Sequence, residues 1–148
     1  MNLTRMRKYR LESLIVDIIK DHKDEFPLGD QNILNVVFHN DSDKMHLMSC
    51  RWNYRTDNCE YDSSCHGETA ALLHGSRGAF HRHPPEPAYR AAFLAMKKYK
   101  LGTSLEENFI NKLEHNLRKA TQSRCVEKYL VFLKDWRALA RKLDIERG

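Results

Sequence analysis

The sequence predicts a helix-rich α/β chain, and three observations carry that expectation. Apolar residues recur at helical spacing in several stretches, most clearly near both ends. Two short apolar runs, MHLMSCRWN at 45–53 and TAALLHG at 69–75, read as strands. The proline cluster in HRHPPEP at 81–87 forbids regular structure and separates this mixed first part from a helical remainder.

Taken in order, Leu11, Leu14, Ile15, Ile18 and Ile19 give a helix over about residues 5–23 one apolar face. DEFPLGD breaks it through Pro27 and Gly29, and Asp30 can cap the next helix by accepting from its free N–H groups. That helix, QNILNVVFHN, is apolar at Ile33, Leu34, Val36, Val37 and Phe38, so it is expected to be largely buried. NDSDK is a turn before the first strand, and the polar, cysteine-bearing stretch 53–67 is a loop before the second. Three helices follow, over about residues 87–99, 105–121 and 123–143. The last carries Val126, Tyr129, Leu130, Leu133, Trp136, Ala140 and Leu143 as a packing stripe.

At 148 residues, 41% of them hydrophobic, the chain can fill one modest core. A formal charge of +5 would suit an acidic partner, but the basic residues are interspersed with twenty acidic ones, which describes a mixed solvated surface. RWNYR at 51–55 interleaves aromatic and basic groups as single-strand binders do; no binding module accompanies it, so no nucleic-acid partner is expected. No apolar run reaches about 18 residues, the length a membrane span needs. The basic start MNLTRMRKYR resembles a leader only superficially, because Glu12 and Asp17 interrupt the apolar stretch behind it.

Cys50, Cys59, Cys65 and Cys125 suit an oxidising compartment, as do the sequons at Asn2 and Asn40. Four cysteines allow three pairings. The short Cys59–Cys65 loop closes without distant rearrangement and is the preferred pair. Zinc held by Cys50, Cys59, Cys65 and His66 is disfavoured, because the spacings lack short paired hooks.

Two polar clusters stand out. Asp30 and Gln31 sit where a loop enters a helix, positioned either to cap it or to offer a carboxylate and an amide to a polar ligand such as a sugar. In HGSRG, His74 is a potential metal ligand, Gly75 lets backbone approach a phosphate, and Arg77 can pair with phosphate oxygens. His81 and His83 read as exposed loop residues.

In order and spacing, MNLTRMR, GDQNILNVVF, SCRWNYRTDNCEYDSSC and LLHGSRGAFH resemble the second half of glucoside xylosyltransferases, members of glycosyltransferase family eight. W-N-Y-R followed by two cysteines is the most specific part. The tail from EPAYRAAFLAM through Cys125 extends the similarity over nearly the whole chain. By this resemblance Asp30 and Gln31 match a D-Q-D signature lining the sugar-donor pocket, with Gln31 near the anomeric carbon; Asn32 replaces the second carboxylate. His74 matches the histidine completing a metal site begun by an upstream D-x-D motif. Gly75 and Arg77 stand where diphosphate-binding groups occur, although the family's H-x-x-G-x-x-K-P-W is not reproduced. Trp52 and Asn53 match a W-N strand end near the active site, here preceded by Met48 and Ser49. DSD at 41–43 lacks an apolar strand to present it and does not count as the D-x-D motif.

The resemblance implies part of a GT-A catalytic domain over residues 1–83 with a helical C-terminal extension over 84–148. It further implies retaining transfer of xylose from UDP-xylose to O-glucosylated EGF-like repeats, with Mn2+ assistance, by a membrane-anchored protein of the ER or Golgi lumen. The alternative is a non-catalytic interaction module that binds an acceptor protein or a full-length paralogue.

Overall fold

A computed structural model describes residues 2–22, 25–27, 29–39, 41–61, 65, 67–81 and 85–147. The chain divides into two compact units, Met1–Leu47 and Met48–Gly148.

The first unit holds α1 (Leu3–Lys8), α2 (Leu11–His22) and α3 (Asp30–His39), followed by a 3-10 turn at Ser42–Lys44. Asn2 caps α1, its side-chain oxygen accepting from the Arg5 N–H at 3.0 Å. The single helix expected over 5–23 is in fact two, because Arg10 takes φ 55° and its left-handed backbone ends α1. The apolar stripe starts only at Leu11, and RMRKYR before it is mostly basic, so burial does not hold the two parts in one helix. The expected end at Lys23 lies outside the described residues. Beside α1, Tyr9 stacks on Phe38 with centroids 6.0 Å apart and donates its hydroxyl to Asp41 at 2.5 Å. Asp41 also pairs with Lys44; that bond and then the Tyr9 hydroxyl hold its carboxyl below the usual carboxylate range.

The expectation that α3 is largely buried is corrected. Val37 is buried, whereas Leu34 and Val36 are exposed. Within this unit α3 packs on α2, and one neighbouring helix covers a line of side chains rather than a broad face.

The second unit contains α4 (Thr56–Glu60), α5 (Pro87–Lys98), α6 (Asn111–Lys119) and α7 (Arg124–Arg147). Glu86 caps α5 by accepting from the N–H groups of Ala88 and Tyr89 at 2.8 and 3.1 Å, with Pro87 opening the helix. Its buried alanines, 88, 91, 92 and 95, form one thin face that lets the neighbouring helices approach closely. The helix expected over 105–121 starts as a π-helical turn, Glu106–Ile110, runs into α6 and ends at Lys119, after which Ala120 is extended. The Asp144 carboxylate of α7 accepts from the Leu105 and Glu106 N–H groups at 2.7 and 3.1 Å and from Ser104 at 2.8 Å. A distant helix thus caps this start.

α7 turns Val126, Tyr129, Leu133 and Ala140 of its stripe into the core, together with Phe132, which lies beside it. Tyr54, Tyr89 and Tyr129 are the largest fully buried side chains, and Trp136 packs edge-on against Tyr129 at 5.4 Å. Among the described residues no helix is long and apolar enough to cross a membrane.

Neither expected strand forms among the described residues. The run 45–53 is irregular before a 3-10 turn at Cys50–Asn53, and 69–75 pairs with the residue just beyond it through an isolated parallel bridge, Tyr54 with Leu73. A strand needs a ladder of partners along its edge, and the two segments are joined only by this bridge and a few backbone bonds at Arg51 and Tyr54, too short a contact to make a ladder.

The cysteines form two bridges, Cys50–Cys65 and Cys59–Cys125, so the preferred Cys59–Cys65 pair is overturned. Its reason was the shortness of the loop, but direction decides. Cys59 lies on α4 facing α7, where the Cys125 Cα is 5.0 Å away, and both residues are buried. His66, the fourth member of the rejected zinc set, lies outside the described residues, as do His83 and the sequon asparagine Asn40. So does the expected domain boundary at 83/84.

Candidate functional site

In the second unit, the expected site residues Asn53 and His74 adjoin the Tyr54–Leu73 bridge. The Tyr54 N–H donates to Leu72 at 2.9 Å, and the His74 N–H donates back to Tyr54 at 2.8 Å. Further bonds from the N–H groups of Ala71 and Leu72 to the Arg51 carbonyl, at 2.9 and 3.0 Å, tie the same two segments. From inside the core, the Tyr89 hydroxyl donates to the Tyr54 carbonyl and the Trp136 indole to the Ala70 carbonyl, both at 2.7 Å. Two otherwise irregular segments are thereby held in a fixed register.

That register brings Asn53 and His74 together. The Asn53 side-chain oxygen lies 2.6 Å from His74 Nδ1. An amide oxygen only accepts, so Nδ1 donates, and a neutral ring held this way has its lone pair on Nε2. The imidazole is exposed. It fits a metal as one donor, and among the described residues no group of three or more His, Cys, Asp or Glu is placed to hold an ion.

Gly75 follows, and only glycine fits there, because a Cβ would run into the Phe80 ring. The Ser76–Gly78 turn then puts Arg77 at φ 55° and Gly78 at φ 74°, which swings the exposed Arg77 side chain towards Asp57. Arg77 Nη1 lies 3.8 Å from Asp57 Oδ1, while Arg55 Nη2 donates to Asp57 Oδ2 at 2.8 Å. Two guanidinium groups therefore flank one carboxylate beside the His74 corner. Asp57 was not singled out from the sequence, and Arg55 only as part of RWNYR; the Arg-Thr-Asp step directly after W-N-Y was the available signal.

Trp52 is half-exposed, with the Arg51 guanidinium 5.8 Å from its ring centre. It borders a groove of about 790 Å³ that includes Glu68, Thr69 and Asp135. Asn53 and Trp52 thus point to different surroundings.

In the first unit, Asp30 is the first residue of α3 rather than the residue before it. Its Oδ1 accepts from the N–H of the adjacent Gln31 at 2.9 Å. Gly29, at φ 58°, supplies the turn into the helix, which leaves Asp30 inside the first turn. Both side chains are exposed at this positive end of the helix dipole.

No family model matches the chain, and no solved structure matches it. Curated proteins do. Glucoside xylosyltransferase 1 of Gallus gallus is 32% identical over the whole chain, which covers 37% of that relative. The protein of the same name from Danio rerio is 33% identical over 84% of the chain, covering 34% of its own length. Glucoside xylosyltransferase 2 of Xenopus laevis is 28% identical over 90% of the chain, covering 35% of its length. Similarity of this extent makes the chain a glycosyltransferase homologue. The relatives that match it across its length are glucoside xylosyltransferases, and the chain spans about a third of the length of those it matches.

Proposed function

We propose that the chain is part of a retaining α-xylosyltransferase that moves xylose from UDP-xylose to O-glucosylated EGF-like repeats in the lumen of the secretory pathway. The observation that carries this reading is the similarity to glucoside xylosyltransferases across the whole chain. Residues 1–83 are proposed to belong to a GT-A catalytic domain and 84–148 to be its helical extension.

For the first unit, the proposal assigns Asp30 and Gln31 to the donor sugar, where a carboxylate and an amide at a helix start meet hydroxyls and developing positive charge. For the second, His74 offers Nε2 as one metal donor, and the other ligands come from outside these 148 residues. Manganese, when bound, supplies charge neutralisation at the departing diphosphate. Arg77 and the turn at Gly75 are proposed to hold that diphosphate, for which Arg77 would exchange its long contact to Asp57. Trp52 is proposed to border the donor.

In a complete transferase carrying this sequence, His74→Ala is expected to lower manganese-dependent transfer about tenfold or more. Unchanged activity would remove His74 from the site. Gln31→Ala is expected to impair turnover more than folding; a sharp fall in melting temperature with intact turnover would instead make it structural. The 148 residues alone are expected to catalyse no transfer when incubated with UDP-xylose, Mn2+ and a glucosylated EGF-like repeat beside a complete control. Transfer at a comparable rate would overturn that expectation. Co-purification with EGF-like repeats without nucleotide would favour an interaction role.

A further inference from the structure

We propose that Asn53 is the positioning residue for His74: its side-chain oxygen holds Nδ1–H and turns Nε2 outward as the donor atom. This rests on the reading of His74 as a metal donor and gives Asn53 a task distinct from contacting the sugar nucleotide.

The geometry is direct. The 2.6 Å contact joins residues 21 apart in sequence, at a point where both backbones are already fixed by the bonds between Tyr54, Leu72 and His74. The base of the arrangement is rigid, since Tyr54 is fully buried and its carbonyl is held by the Tyr89 hydroxyl. A free neutral imidazole carries its proton mainly on Nε2. An acceptor at Nδ1 reverses that preference, leaving Nε2 the single lone pair on the ring. Without Asn53, a ring in the commoner tautomer would present an N–H to a cation and would have to shift its proton before binding. Histidines that ligate metals are typically fixed in this way through the other nitrogen, and loss of the fixing group costs about 10–100-fold in metal affinity or activity. His74 is exposed, so its orientation depends on this bond more than a buried ring's would.

The test uses a complete transferase carrying this sequence with ring 15N-labelled histidine, the His74 signals being identified by their loss in His74→Ala. At a pH where the ring is neutral, wild type is expected to show the Nδ1–H form at His74, and Asn53→Ala the Nε2–H form. Manganese affinity, read from the electron-spin signal of the free ion, is expected to fall about tenfold or more in Asn53→Ala. Asn53→Asp, which keeps an acceptor oxygen, is expected to restore the Nδ1–H form and most of the affinity. An Nε2–H form in wild type overturns the proposal. So does an unchanged manganese affinity in Asn53→Ala when His74→Ala lowers it, whereas an unchanged affinity in His74→Ala overturns the metal reading beneath it. The spectra distinguish those failures, since they report the hold of Asn53 on the ring with no metal present.

Discussion

Tyr89 and Tyr129 lie side by side in the core with ring centroids 5.6 Å apart, and burial pushes both hydroxyl pKa values up. Their hydroxyls do different things. Tyr89 donates to the Tyr54 carbonyl, while among the described residues the Tyr129 hydroxyl has no hydrogen-bond partner. Tyr89→Phe is therefore expected to cost about 1 kcal/mol and leave the Tyr54 carbonyl short of one donor, whereas Tyr129→Phe is expected to be neutral or stabilising. Thermal melts of the two variants decide it; equal losses would mean that the hydroxyls are equivalent. At the site corner, Gly75→Ala is expected to cost about 1–3 kcal/mol because the Phe80 ring must move. A variant as stable as wild type would show that the ring gives way freely. Residue identities at this corner were readable in HGSRG and W-N, but the Asn53–His74 contact was not, because it depends on a register set by residues outside both motifs.

The helix of the second unit that starts at Leu105 shows how one element depends on another. Its N–H groups at Leu105 and Glu106 are met by Asp144, 39 and 38 residues on, while Ser104 Oγ of its own turn takes only the Glu107 N–H at 3.1 Å. Asp144→Ala is expected to lower the melting temperature by several degrees, more than Ser104→Ala, since two N–H groups lose their acceptor. Comparable effects would shift the capping role to Ser104. Elements whose stability is local were legible in the sequence: the α7 stripe and the Pro87 start of α5 follow from helical spacing and from proline at a first turn. The π-helical turn at Glu106–Ile110 and the break at Arg10 were not, because spacing does not register a single inserted or left-handed residue. The strands failed for the opposite reason: extended chain is a local property, but a strand is a relation to partners.

For the molecule as a whole, carboxylates paired in the fold set its acid limit. Arg141 and Arg137 bond Glu106 and hold it at about 2, below its ordinary 4.5, and Arg118 lowers Glu114. Backbone N–H groups lower Asp144. Since these pKa values are depressed on folding, their stabilisation is complete above the ordinary carboxylate value. It is lost as pH falls towards about 2. The melting temperature is expected to be level from about pH 7 to 5 and to fall below that, with a smaller acid drop in Glu106→Gln. An equal drop in that variant would exclude Glu106 as a cause. The two disulfides are each expected to contribute about 2–4 kcal/mol, and peptide mapping without reduction should return Cys50–Cys65 and Cys59–Cys125. Recovery of a Cys59–Cys65 peptide would contradict this pairing. The presence of sulfur bridging was legible from the cysteine count; the partners were not, since α4 meets α7 only in the folded chain.

The two bridges also interleave, because the order along the chain is 50, 59, 65, 125 and the partners alternate. A protease that cuts once anywhere between Cys50 and Cys125 therefore severs a backbone without releasing a fragment. Clipped and intact molecules keep the same mass apart from one added water, and they separate on a gel only after a reductant is added. A chain with this connectivity can be nicked by a protease and still travel, and be purified, as a single covalent body.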